Sequence, residues 1–258
     1  MASFEAQLAN VRSYVGDLRA AGRLVRDVVS ASPASGSTAA ALPVRVGPGA
    51  SPGVILRGDT HVELGNPQRG SCGVVLWTTD TGQIVDGRVT LVGPDVPESS
   101  EGSLPFGQII VVGGTELSPA DYPAISQAQY VGDQIEGYMV RSSARSVWAR
   151  VSKSAAAKGF DFACLGRALM ALYKTSSPKV QAMEITFVTS DPLDVKKLES
   201  IAVEAHQVGL EMVTAHWKAR GYELDCNLDC KGCHDKDVCD DVRKVIAATM
   251  RKEKAAHV

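Results

Sequence analysis

The sequence predicts an α/β protein with a mixed sheet and flanking helices. The apolar positions change period along the chain, in the order helix, strands, helix, strand, helix, strand, helix. The continuous apolar run CGVVLW at 72–77 suits a strand buried on both faces, and FGQIIVV at 106–112, closed by two glycines, reads as a second buried strand. A cluster of cysteines between positions 226 and 239 predicts a separate metal-binding loop, followed by a terminal helix.

Taken in order, Phe4, Leu8, Val11, Val15, Leu18, Gly22, Val25 and Val29 recur in steps of four and three. Residues 1–30 therefore read as a heptad-patterned helix, packed on its own domain or docking a partner subunit. Residues 31–42 are small, polar and Pro-bearing, a flexible linker. Residues 43–221 form the α/β domain. Short β-prone runs fall at 44–46 and 53–57, and Thr60, Val62 and Leu64 alternate with polar neighbours. A further strand lies between the D-G at 86–87 and the G-P at 93–94. The paired glycines after the run at 106–112 have no G-x-G-x-x-G pattern or following lysine, which argues against a phosphate loop.

Ser118 and Pro119 mark a helix start, and the pattern continues as one helix to residue 139, or as two broken near Pro123. Residues 146–153 alternate as a strand, Trp148 and Arg150 on one face and Val147, Ala149 and Val151 on the other. Phe162, Leu165, Leu169 and Leu172 make the stripe of a helix, residues 183–188 a strand, and 191–221 a long helix with Pro192 near its start. Cys72, Cys164, His61, His206 and His216 read as packed strand or helix residues rather than ligands.

A formal net charge of −2, with no basic stripe, gives no sign of a nucleic-acid partner. No apolar run approaches the roughly 20 residues of a membrane helix. The first residues, MASFEAQLANVRSYV, lack the apolar stretch of a signal peptide, so a cytoplasmic protein is expected.

The strongest chemical signal is C-x3-C-x2-C-x5-C, formed by Cys226, Cys230, Cys233 and Cys239, with His234 after the third thiol. Four soft donors converging within one loop suit an iron–sulfur cluster or a zinc ion, and zinc could also take His234 in place of one thiolate. Disulfides or unligated thiols are the blander readings. Asp225, Asp229, Asp235, Asp237, Asp240 and Asp241 surround the loop with negative charge.

Four stretches resemble, in order, the acetyl-CoA synthase β subunit of the CO dehydrogenase/acetyl-CoA synthase complex. They are HVELGNPQ at 61–68, DGRVTLVGPD at 86–95, VWARVSKSAAAKG at 147–159 with GRALMALYKT at 166–175, and the cysteine loop. The resemblance implies an α/β domain associated with coenzyme A. It implies Trp148 as a stacking surface for the adenine, with Arg150 and Arg145 near the phosphates. It also implies a [4Fe–4S] cluster, with Cys230 and Cys233 matching the family's C-x2-C, Cys239 the next ligand and Cys226 a substitute fourth. The family's cluster cysteines are more widely spaced, and its nickel site needs a later Cys-Gly-Cys that these residues do not contain. Nickel-dependent acetyl-CoA synthesis is therefore not expected. The expectation is an accessory iron–sulfur subunit beside a larger, acyl-CoA-processing enzyme, or a zinc-stabilised assembly subunit. The N-terminal helix would be its docking element.

Overall fold

The computed structural model describes residues 3–30, 42–50, 53–99, 102–127, 132–143 and 146–220. The chain divides into two compact units, Met1–His216 and Trp217–Val258, and the first carries both sheets. Its strands are β1 (Val25–Val29), β2 (Thr60–Leu64), β3 (Ser71–Thr78), β4 (Arg88–Val92), β5 (Ser103–Leu104), β6 (Phe106–Gly113), β7 (Tyr138–Ser143), β8 (Ser146–Ser152) and β9 (Ala182–Val188). The helices are α1 (Glu5–Ala20), α2 (Tyr122–Gln127), α3 (Lys153–Ala157), α4 (Phe162–Ser176) and α5 (Pro192–Ala219).

One sheet has the order β1-β4-β9-β6-β3 and the other β5-β2-β8-β7. Both are mixed; the sequence predicts a single mixed sheet, and the structure divides the strands between two. In the larger, β4 runs parallel to β9 and β6 parallel to β3, while β1–β4 and β6–β9 are antiparallel. All eight residues of β6 are buried, the polar Gln108 among them. In β8 the alternation is that of a half-buried strand: Val147, Ala149 and Val151 are buried, and Trp148 and Arg150 lie half-buried on the opposite face.

Helix α4 starts at Asp161, whose carboxylate accepts the Cys164 N–H, and its stripe of Phe162, Leu165, Leu169 and Leu172 is buried. It packs on β4 and β9, where Phe162 stands 5.0 Å from Phe187, itself stacked 5.9 Å from Phe106. Burying a large aromatic of this kind contributes about 2–3 kcal/mol. Val195, Leu198, Ile201, Ala202, Ala205 and Met212 bury the matching face of α5. Cys72 and Cys164 are core residues, in keeping with their expected role.

The N-terminal segment departs from the single helix expected over 1–30. Helix α1 stops at Ala20, and Gly22 takes a positive φ of 78°. The Gly22 N–H then bonds the Arg19 carbonyl, and the Arg23 N–H bonds the Leu18 carbonyl, a Schellman closure that satisfies the last carbonyls of the helix. Val25 and Val29, which continue the heptad rhythm in sequence, instead belong to β1 and pair with Val92 and Arg88. Phe4, Leu8, Val11 and Leu18 are buried in the chain's own core, so the apolar seam packs on this domain rather than facing a partner. Tyr14 donates to the Asp194 carbonyl at 2.9 Å and Arg23 pairs with the Asp194 carboxylate at 2.8 Å, tying the segment to the start of α5.

Two further expectations are corrected. Residues 53–57 form no strand, and 44–46 make only an isolated bridge between Val46 and Ile135. Tyr138 and Met139 do not end a helix begun at Pro119: a short 3-10 turn and α2 end by Gln127, and Tyr138 opens β7 after Gly137. The linker at 31–41, the cysteine loop and the terminal helix lie outside the described residues. Among the described residues, no helix is long and apolar enough to cross a membrane.

Candidate functional site

The antiparallel pairing of β2 with β8 places Glu63 directly opposite Arg150, and Leu64 opposite Ala149. Because side chains alternate, Glu63 shares the face that carries Trp148 and Arg150, while Val62 and Leu64 enter the core. The Glu63 carboxylate binds three groups on that face. One oxygen accepts the Trp148 indole N–H at 2.8 Å and the Arg150 guanidinium at 3.4 Å, and the other accepts the Asn66 side-chain amide at 3.1 Å. Burial pushes the Glu63 carboxyl up, but the bonds from Asn66, Trp148 and Arg150 outweigh it and hold the group below its ordinary range.

Arg150 is held from the other side by the Ile55 carbonyl, 3.1 Å away, and its guanidinium carbon lies 4.8 Å over the Trp148 ring. A cation over an indole face contributes about 1 kcal/mol. The ring is therefore fixed at its N–H by Glu63 and covered on one face by Arg150.

Trp148 also lines an open cleft of about 540 Å³ with Gly65, Pro67, Gly70, Ser71, Ser146 and Glu199. Its wall comes from the turn joining β2 to β3. The Asn66 side chain accepts the Gln68 N–H, and the Asn66 carbonyl accepts those of Arg69 and Gly70. At the base, the Ser71 hydroxyl donates to the Val147 carbonyl at 2.7 Å and accepts the Val147 N–H at 2.7 Å, which stitches the start of β3 to β8. Arg150 does not line this cleft, so a ligand there meets the indole away from the guanidinium.

A smaller cavity of about 240 Å³ lies among β3, α2 and α5, with Tyr122, Pro123, His206 and Gly209 in its wall. It is more enclosed and more apolar, and neither cavity has an Arg or Lys in its wall. The Trp148 cleft combines an exposed aromatic edge, hydrogen-bonding groups and close backbone approach, and is the better candidate for a polar aromatic ligand.

Of the residues singled out in the sequence, the structure brings Trp148 and Arg150 together. Arg145 and the four cysteines Cys226, Cys230, Cys233 and Cys239, with His234, lie outside the described residues. Among the described residues, no group of three or more His, Cys, Asp or Glu could hold a metal ion. Glu63 is the residue of this face that the sequence alone does not single out. Its available signal was parity: a carboxylate alternating with Val62 and Leu64 must share the polar face of its strand.

The fold and site define a two-sheet α/β domain with an open, aromatic-edged cleft. Residues 42–194, more than half of the chain, match the family model of the CO dehydrogenase/acetyl-CoA synthase complex beta subunit, and the chain belongs to that family. It is 32% identical over 152 residues to an acetyl-CoA decarbonylase/synthase complex subunit beta of Archaeoglobus fulgidus, covering 58% of this chain and 29% of that protein. Against a subunit beta 2 of Methanosarcina thermophila it is 38% identical over 148 residues, 55% of this chain and 30% of the relative. A carbon monoxide dehydrogenase/acetyl-CoA synthase subunit alpha of Moorella thermoacetica is 32% identical over 171 residues, 64% of this chain and 23% of the relative. The chain thus spans about a third or less of these relatives' length.

Proposed function

We propose that this chain is a coenzyme A-binding subunit of a complex related to CO dehydrogenase/acetyl-CoA synthase, receiving the adenine of the ligand against Trp148. The observation that carries this reading is the indole held by Glu63 at the edge of the cleft between the β2–β3 turn and β8. Stacking on a fixed aromatic needs little side-chain ordering on binding, which favours affinity. Arg145, one residue before Ser146 in sequence, would meet the phosphates, and Arg150 would support the ring.

In this reading the thiolates of Cys226, Cys230, Cys233 and Cys239 hold a [4Fe–4S] cluster, whose donor set they match in number and softness. The cluster would supply electron transfer or structural support beside a larger, acyl-CoA-processing partner. Zinc is the alternative occupant, favoured by His234 next to Cys233.

Titration with coenzyme A, followed by tryptophan fluorescence, tests the cleft. Quenching is expected in the native protein and its loss in Trp148→Ala; a native protein that neither binds nor quenches would sink the reading. Iron, acid-labile sulfide and zinc, measured on protein purified without oxygen, test the loop. About four irons and four sulfides per chain support the cluster, whereas about one zinc and no sulfide would assign a structural metal.

A further inference from the structure

Glu63 stands at the centre of the site, yet it does not line the cleft. It is half-buried and directly opposite Arg150, and its side chain and that of Arg150 are 21% and 22% exposed. At this depth a guanidinium beside a carboxylate is a largely compensated pair. Its capacity to attract a second anion is reduced, because the field of Glu63 opposes that of Arg150 over the same few ångströms. The Ile55 carbonyl occupies another guanidinium N–H. Glu199 adds a further negative charge to the cleft wall. Together these features shape a place for a neutral, flat ring and make Arg150 a poor phosphate ligand.

We infer that Glu63 is the positioning and specificity-determining residue of the Trp148 cleft: it fixes the indole and neutralises Arg150, so that the subsite reads an aromatic base by stacking and not a phosphate by charge. This rests on the coenzyme A reading of the same cleft and narrows it, since it excludes Arg150 from the phosphate contacts that the family resemblance implies. The ligand's phosphates must find their cations elsewhere, beyond the ring.

The assignment makes a prediction that a merely structural carboxylate would not. Removing the negative charge, while keeping an oxygen for the indole N–H, should release Arg150 to attract anions near the stacked base. One new charge-assisted contact corresponds to a gain of about tenfold. The test measures two probes, adenosine and adenosine 3′,5′-bisphosphate, by competition with coenzyme A on the full-length protein at fixed ionic strength. The quantity read is the ratio of their affinities, which cancels any general loosening of the site.

In Arg150→Gln the ratio should stay within about twofold of native, because the native guanidinium is already compensated. In Glu63→Gln it should shift toward the bisphosphate by about tenfold, shrink again as salt is raised, and return to native in the double variant. The inference is overturned if Arg150→Gln alone removes a preference for the bisphosphate, if Glu63→Gln leaves the ratio unchanged, or if adenosine fails to compete even in large excess. Should Glu63→Gln not fold, the ratio is read in Glu63→Asp, whose shorter carboxylate draws back from Arg150 and the indole; a shift toward the bisphosphate supports the inference and an unchanged ratio overturns it. If coenzyme A neither binds nor quenches, the underlying reading has failed; if it binds through Trp148 while the ratios disagree, only the role of Glu63 has.

Discussion

Gly65 has a positive φ of 68°, and a β-carbon there would run into the carbonyl oxygen of Val147 and crowd the side chain of Ser71. Gly22 has a similar φ of 78° but nothing within 4 Å of the same hypothetical atom. The pair separates two costs that a single substitution mixes. Gly22→Ala carries the left-handed strain alone and should destabilise by about 1 kcal/mol. Gly65→Ala adds a clash with backbone that cannot rotate away, and should cost about 3 kcal/mol or more and weaken ligand binding. Denaturant midpoints at unchanged slope check both, and equal losses would show that the approach at Gly65 is not tight. These residues also mark where the sequence is legible. Trp148 and Arg150 stand out because they interrupt an apolar alternation within a few residues of each other. Glu63 lies 85 residues earlier than Trp148, and only the pairing of β2 with β8 makes them neighbours. Parity gives the face of a strand, but not the strand opposite it.

Strands β3, β6, β8 and β9 and helices α4 and α5 are legible because each carries its own local signal, an unbroken apolar run, an alternation or a capped stripe. Strand β1 is not, because five residues are too few to show a period and its valines continue the rhythm of α1. What ends the helix is the closure at Gly22, and what holds β1 is tertiary. The Arg26 guanidinium pairs with both Glu98 oxygens at 2.6 and 2.8 Å and with the Gly93 carbonyl, clamping β1 to the turn after β4. The Arg26 bond, with the Asp95 N–H, holds the Glu98 carboxyl down to about 2 from an ordinary 4.5. A depressed acid stabilises the fold above its unfolded pKa and loses that contribution as pH falls through the folded one. The clamp should therefore be intact above about pH 4.5 and release between there and about pH 2. Asp95 beside it works in the opposite sense, since burial pushes its carboxyl up, so a local readout is needed. Amide exchange of residues 25–29 should accelerate across this window relative to β6, and Glu98→Gln should be fast already at neutral pH. Exchange in β1 that keeps a constant ratio to that in β6 across this window would assign its stability to the β1–β4 ladder alone.

At the scale of the molecule, the α/β class follows from element order, whereas the strand order does not. β9 sits between β4 and β6, parallel to one and antiparallel to the other, and these partners lie some 70 to 100 residues apart in sequence. Nothing local encodes that choice; it follows from burying apolar runs on both faces at once. The same accounting bears on how the two proposed chemistries are distributed. Among the described residues, the hydrophobic core from Phe4 to Met212 belongs to the unit Met1–His216, as do the residues of the Trp148 cleft. The candidate metal ligands fall in the other unit. Because a unit with its own core can fold by itself, a chain ended after His216 should unfold cooperatively, with a midpoint within a few degrees of native. It should keep the coenzyme A-dependent quenching of Trp148 while losing all bound iron or zinc. Calorimetry, fluorescence titration and metal analysis on the shortened chain read these separately. Loss of the cooperative transition would mean that metal binding contributes to the fold of the α/β unit itself, as it does in domains whose metal supplies folding energy. A retained transition with lost quenching would instead overturn the assignment of the ligand to the cleft of this unit alone.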